Sequence, residues 1–82
     1  MDEDALNKSL LPSSPIDVRV GERVREYRVL AGFTVSETAG WLGTREQDYE
    51  DREAGKIRFA AADLIDLSGK FRVRPSYFLR AD

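Results

Sequence analysis

Apolar residues recur at intervals of three and four along most of this 82-residue chain. In the first such run they are Val20, Val24, Tyr27, Leu30 and Ala31. This spacing is typical of one face of an α-helix, because successive turns bring such positions together. Gly32 follows, where a residue in the left-handed conformation commonly ends a helix. The pattern predicts a first helix from residue 17 to residue 31.

A second helix is predicted mainly by the signals at its two ends. Thr34 stands three residues before Glu37, which is the spacing of a capping box at a helix N-terminus. Ala39 and Leu42 supply its apolar positions, and Gly43 marks its end. The predicted helix is about eight residues long, near the lower limit for globular proteins.

A third helix is predicted from residue 45 to residue 53. Thr44 precedes it, with Gln47 three residues further on, so the spacing of a capping box is repeated. Gly55 follows the predicted end of this helix, and Tyr49 is the residue expected to face the core. Two short helices joined by a tight glycine turn form the pattern of a helix-turn-helix unit.

Two further helices complete the prediction. The fourth contains Ala61, Leu64, Ile65, Leu67, Ser68 and Phe71, and a short fifth helix opened by Pro75 contains Tyr77, Phe78 and Leu79. Five aromatic residues are expected in the core, namely Tyr49, Phe59, Phe71, Tyr77 and Phe78. We therefore expect an all-α, five-helix domain over residues 16–82. Residues 1–15 are rich in acidic residues, serine and proline, which predicts a flexible N-terminal tail.

The inventory of side chains narrows the chemistry that is open to the chain. There is no cysteine and no histidine, which excludes disulfides, thiolate zinc sites and imidazole acid–base catalysis. We therefore expect no enzymatic activity, no metal site and no cofactor. The N-terminus has no long apolar run and no basic leader region, which predicts a cytoplasmic protein without a membrane partner. The formal charge of −2 neither demands nor forbids nucleic acid.

Two stretches around the predicted helices resemble a known family. PIDVRVGERVREYRVLAGFT at residues 15–34 and RFAAADLIDLSGKFRVRPSYFL at residues 58–79 resemble the helix-turn-helix regulators of the Cro and lambda-repressor type, also called the xenobiotic-response-element family. The first stretch is similar to an alphaproteobacterial subgroup. The resemblance implies a lambda-repressor-like fold and a DNA-binding transcriptional regulator that acts as a homodimer on double-stranded DNA.

The resemblance also implies roles for individual residues. The third helix would enter the major groove, where the candidates for base reading are Arg45, Glu46, Gln47 and Asp51. The candidates for phosphate contacts are Thr34, Thr44, Lys56 and Arg58. Arg28 and Glu53 match a buried structural ion pair that links the first helix to the end of the third.

Three features of the sequence favour a second hypothesis. The third helix carries five carboxylates, Glu46, Asp48, Glu50, Asp51 and Glu53, against Arg45 and Arg52. In the family that the chain resembles, the position of Val35 is usually a glutamine that contacts phosphate. The position of Trp41, which stands beside Gly40, is usually a polar residue in the same family. The alternative is a protein-interaction module: an antirepressor, a mimic of DNA charge, or an adaptor to the transcription machinery. Its interface candidates are Trp41, Glu46, Asp48 and Asp51, with the N-terminal tail as a second surface.

Overall fold

The computed structural model describes residues 15–79, which form four α-helices and one 3₁₀ helix. The α-helices are α1 (Pro15–Ala31), α2 (Val35–Leu42), α3 (Glu46–Glu53) and α4 (Ala61–Phe71), and the 3₁₀ helix η1 is Pro75–Leu79. The described part contains no β-strand. The all-α prediction is therefore confirmed, with the difference that the fifth helix is of the 3₁₀ type.

The helix α1 begins two residues before its predicted start. Pro15, which the sequence analysis assigned to the tail, is its first residue. Proline suits this position, since the first turn of a helix needs no bonded amide hydrogen there and the ring presets the backbone angle φ. The rest of the predicted flexible tail, residues 1–14, and the C-terminal residues 80–82 lie outside the described residues.

The ends of α2 agree with the sequence pattern. The Thr34 hydroxyl accepts a hydrogen bond from the Glu37 amide at 3.0 Å, and the Glu37 carboxylate accepts one from the Thr34 amide at 2.9 Å. These two bonds form the predicted capping box. Gly43 closes the helix in the left-handed conformation, with φ at 68°. The turn after α2 thus needs a residue that tolerates positive φ.

The predicted cap of α3 is wrong. Arg45, not Thr44, is the N-cap residue, and its side chain makes no capping bond. Thr44 lies one residue too early, and its hydroxyl instead accepts a hydrogen bond from Arg52 Nη1 at 3.1 Å. The helix α3 therefore depends on packing against its neighbours more than on a local start signal.

The core lies between α1 and the other helices. It contains Val20, Val24, Ala39, Tyr49, Phe59, Leu64, Leu67, Phe71 and Phe78. Tyr77, which the helical spacing predicted to be buried, remains 37% exposed. The reason is the 3₁₀ geometry: Phe78 points inward, while the neighbouring Tyr77 stacks on Tyr27 with the ring centroids 6.0 Å apart.

Two glycines allow α1 to lie close to the end of α3. A methyl group at Gly21 would clash with the carbonyl oxygen of Glu53 and would lie 2.7 Å from that of Arg52. A methyl group at Gly55, whose φ is 80°, would lie 2.6 Å from the Cα atom of Val18. Both obstacles include backbone atoms that cannot rotate away. Side chains at these two positions would therefore force α1 away from the end of α3.

Candidate nucleic-acid interface

The helices α2 and α3 are joined by a turn of three residues, 43–45, that hydrogen bonds hold in place. The Gly43 amide donates to the Gly40 carbonyl at 3.2 Å, and the Thr44 amide donates to the Ala39 carbonyl at 3.1 Å. These bonds satisfy carbonyl groups that the end of α2 would otherwise leave open. The turn thereby fixes the direction of α3 relative to α2.

A buried ion pair attaches the C-terminal end of α3 to α1. Arg28 Nε donates to Glu53 Oε2 at 2.7 Å, and Arg28 Nη2 donates to Glu53 Oε1 at 3.2 Å. Arg28 Nη1 also donates to the Phe33 carbonyl at 2.8 Å, so the same side chain holds the loop between α1 and α2. The bonds to Glu53 raise the pKa of Arg28 above its ordinary value. Arg28 therefore stays charged in the fold.

Tyr49 completes this buried network from within α3. Its ring is fully buried, and its hydroxyl donates to Glu53 Oε2. Burial, followed by the contact with the Glu53 carboxylate, raises the pKa of Tyr49. The neutral phenol is thus the form that fits the fold. Because Tyr49 and Glu53 face inward, the opposite side of α3 is directed outward.

The outward face of α3 consists of hydrogen-bond acceptors to a large extent. Opposite Tyr49 and Glu53 lie Gln47, which is exposed, and Asp51, which is half-buried. Glu46 and Glu50 are exposed at the sides of this face. Gln47 Nε2 donates to Asp51 Oδ1 at 3.0 Å, one helical turn further along. Gln47 and Asp51, which the sequence predicts as separate candidates for base reading, form a hydrogen-bonded pair in the structure.

Arg45 lies at the N-terminal end of this face. Its Nε donates to Asp48 Oδ2 at 3.1 Å, and its Nη2 lies 3.4 Å from Asp48 Oδ1. The hydrogen bond to Asp48 raises the pKa of Arg45. The arginine side chain remains 83% exposed, so it can exchange this partner for a phosphate or a base.

The two threonine candidates for phosphate contact already accept hydrogen bonds within the fold. Thr34 accepts from the Glu37 amide as the cap of α2, and Thr44 accepts from Arg52 Nη1. A hydroxyl group has one hydrogen to donate besides its acceptor sites. Each threonine therefore retains a donor for a phosphate oxygen.

The two basic candidates follow α3 in the loop before α4. Lys56 is exposed, and its amide donates to the Asp51 carbonyl at 2.8 Å. Arg58 Nε donates to Asp17 Oδ1 at 3.0 Å, while the Arg58 side chain remains 75% exposed. Sequence reasoning missed Asp17 as a neighbour of this site, because 41 positions separate the two residues and no local pattern links them.

Trp41 lies on the outer side of α2 and is 37% exposed. The edge of its ring packs against Phe33 at a centroid distance of 4.6 Å, and Lys70 Nζ lies 5.0 Å from the centroid of the indole ring. Val35 packs against the core as a partly buried residue. Neither the contact with Phe33 nor the cation over the ring was foreseen from the sequence.

The charge of this surface is acidic even after the buried pair is set aside. Glu53 is neutralised by Arg28, which leaves four carboxylates on α3 against Arg45 and Arg52.

Within residues 15–79 no three potential metal ligands come together. No helix in the same range has the length and apolar character needed to cross a bilayer.

Comparison with known proteins gives a likeness in fold. No family model matches the chain, and no curated protein matches it significantly. The restriction-modification controller protein C.AhdI from Aeromonas hydrophila is 21% identical and has a TM-score of 0.65 over 74% of this chain and 92% of its own. A hypothetical transcription factor, NHTF, from Neisseria is 17% identical and has a TM-score of 0.70 over 88% of each chain. This chain therefore shares the helix-turn-helix fold of these two proteins.

Proposed function

We propose that this chain is a DNA-binding transcriptional regulator that places α3 in the major groove. The observation that carries the proposal is the rigid α2–α3 unit, in which the turn at Gly43 and the buried pair of Arg28 and Glu53 hold α3 with its outer face open. A helix held in this way has the width and the exposure that the major groove accepts. The shared fold with a restriction-modification controller and a hypothetical transcription factor supports the same function.

In this arrangement the residues divide into two groups. Glu46, Gln47 and Asp51 would face base edges from the outer side of α3, and Arg45 would reach a base or a phosphate from its N-terminal end. The backbone of the DNA would be held by Thr34 and Thr44 through their remaining hydroxyl hydrogens and by Lys56 and Arg58 through charge.

A homodimer is part of the proposal, since two copies related by a two-fold axis would read paired half-sites. Several large apolar side chains are available for a contact between copies. Ile16 and Leu79, which are 69% and 60% exposed, line an open, largely apolar groove of about 430 Å³ beside Phe59 and Leu64. Exposed apolar surface of this kind favours association. Sedimentation equilibrium would measure the stoichiometry, and a monomer at all protein concentrations would contradict this part of the proposal.

The acidic surface of α3 supports a second candidate function. Glu46, Asp48 and Asp51, with Trp41 on the neighbouring helix, would then bind a basic protein surface. We rank this candidate second, because the two proteins compared above are a restriction-modification controller and a hypothetical transcription factor. The two candidates differ in one direct consequence, which is affinity for DNA that lacks any particular sequence.

The deciding experiment measures binding to random-sequence duplex DNA by fluorescence anisotropy from about 20 to 200 mM salt. A regulator that contacts several phosphates should lose orders of magnitude in affinity over this range. Lys56→Ala and Arg58→Ala should weaken binding and lower the salt slope by about one unit each. Arg19→Ala, which removes the same charge from an exposed site on α1, is the matched control.

The outcome separates the two candidates. A steep salt slope that only the two loop variants reduce would support the DNA-binding function. Absence of binding at the lowest salt concentration would refute it. In that case the reversal of Glu46 and Asp51 to lysine should abolish capture of a basic partner without unfolding the domain.

A further inference from the structure

The outer face of α3, which would lie against a base edge, presents hydrogen-bond acceptors. One of the two hydrogens on Gln47 Nε2 is used in the bond to Asp51 Oδ1. Asp51 Oδ2 has no hydrogen-bond partner among the described residues, and the same holds for the Glu46 carboxylate. Ionised carboxylates accept hydrogen bonds and donate none. The groups that complement this face are therefore hydrogen-bond donors.

The four bases differ in what they offer to such a face in the major groove. Guanine presents two acceptors, N7 and O6, which would repel a carboxylate. Adenine presents a donor beside an acceptor, and thymine an acceptor beside a methyl group. Cytosine presents the N4 amino group and has no acceptor of its own in this groove. The nearest acceptor is O6 of the paired guanine, which already accepts a hydrogen bond from N4. Cytosine is thus the base that offers a carboxylate a donor with no acceptor of the same base beside it.

Asp51 is better prepared for this contact than Glu46. Asp51 is half-buried, has a short side chain and is held through Oδ1 by Gln47. Glu46 is exposed and has one more rotatable bond. A side chain that is already ordered loses less conformational entropy when it binds. The hydrogen bond from Gln47 therefore directs the free oxygen of Asp51.

We propose that Asp51, oriented by Gln47, selects cytosine at one position of each half-site through the N4 amino group. This inference rests on the proposed DNA-binding function and adds the base that α3 prefers. A carboxylate near phosphates lowers affinity for every DNA sequence, so the contact acts by discrimination: a site without cytosine meets the repulsion without the compensating bond.

The first test is selection of bound duplexes from a pool with a randomised segment, followed by sequencing. The wild-type protein should enrich cytosine at one position of each half-site. Asp51→Asn keeps the shape of the side chain and adds a donor, so its preference should move to adenine, which an amide bonds at N6 and N7. Discrimination for cytosine over guanine should fall about tenfold or more in this variant.

The second test changes the atom that is read. N4-methylcytosine at the selected position replaces the amino hydrogen that points into the major groove, whereas 5-methylcytosine keeps it. Binding by the wild-type protein should fall about tenfold with the first base, and the second should retain the contact. Glu50→Gln, with the same change in charge on the same helix, is the control and should keep the cytosine preference. Circular dichroism would verify that each variant is folded.

The outcomes distinguish this inference from the function on which it rests. Salt-dependent binding without a cytosine preference, or a preference that Asp51→Asn leaves unchanged, would overturn the inference while the DNA-binding function stands. Equal binding to cytosine and N4-methylcytosine would also overturn it. No binding to any duplex at low salt would refute both.

Discussion

At the scale of single residues, the pair of Arg28 and Glu53 has the greatest consequence for stability. Arg28→Ala would leave a carboxylate buried without its counter-ion, and we expect the free energy of unfolding to fall by about 3–5 kcal/mol. Urea unfolding followed by circular dichroism measures this change. Arg19→Ala on the exposed surface of α1 should change stability by less than about 0.5 kcal/mol.

A paired substitution separates the charge from the packing. Arg28→Met combined with Glu53→Leu removes both charges, so part of the lost stability should return, because no buried charge is left unpaired. The return should be incomplete, since the buried Tyr49 hydroxyl and the Phe33 carbonyl each lose a hydrogen-bond partner. A double variant as unstable as Arg28→Ala would mean that the hydrogen bonds to the Phe33 carbonyl and from the Tyr49 hydroxyl, not the pairing of the two charges, carry the effect.

Tyr49 predicts how stability changes at alkaline pH. The fold raises its pKa, chiefly by burial, whereas the unfolded chain loses the phenol proton near the ordinary value of 10.0. The contribution of the protonated Tyr49 phenol to the free energy of unfolding is therefore complete below pH 10.0. It declines as the pH rises above that value, by at most about 1.4 kcal/mol per pH unit. Tyr49→Phe should show a shallower decline in urea unfolding between about pH 9 and 11. Parallel curves for the two proteins would exclude this origin.

At the scale of elements, the crossing of α1 and α3 depends on a missing side chain. Gly21→Ala places a methyl group against the carbonyl oxygens of Arg52 and Glu53, so the helices must move apart. We expect a loss of about 1–3 kcal/mol, as for other overpacked contacts, measured by thermal or urea unfolding.

Gly40 provides the matched control for this substitution. It lies in α2, is exposed and has nothing within 4 Å of an added methyl group. Gly40→Ala should raise stability by roughly 0.5–1 kcal/mol, since alanine restricts the unfolded chain and favours the helix. Equal effects of the two substitutions would contradict the close packing of α1 on α3.

At the scale of the whole molecule, the proposed function makes affinity for DNA depend more on the position of the charges than on the net charge. Glu50 lies on the outer face of α3, and Asp66 is exposed on α4. Glu50→Gln and Asp66→Asn alter the net charge equally. If α3 enters the groove, the first variant should bind random DNA roughly fivefold more tightly at low salt than the second, because a carboxylate close to phosphates is removed. Equal affinities would show that only net charge counts.

The sequence alone predicted the elements whose signals are local. The capping box of Thr34 and Glu37, the left-handed glycines after α1 and α2, and the inward position of Tyr49 depend on residues a few positions apart. Such signals act through backbone hydrogen bonds and helical periodicity, which a single segment contains in full. The same reasoning failed at Thr44, since α3 begins one residue later than the spacing indicates and the Thr44 hydroxyl accepts from Arg52 instead of capping the helix.

Apart from the pair of Arg28 and Glu53, which the family resemblance implied, tertiary structure decided the contacts that join distant segments. The contact of Arg58 with Asp17, the fit of Gly21 against the end of α3 and the packing of Trp41 on Phe33 depend on which surfaces the fold brings together. No local pattern encodes such a distance. The sequence determined that α3 is acidic and short and that Gln47 and Asp51 stand one helical turn apart. Only packing determined that this pair lies on the open face, because burial of Tyr49 and Glu53 sets the rotation of the helix.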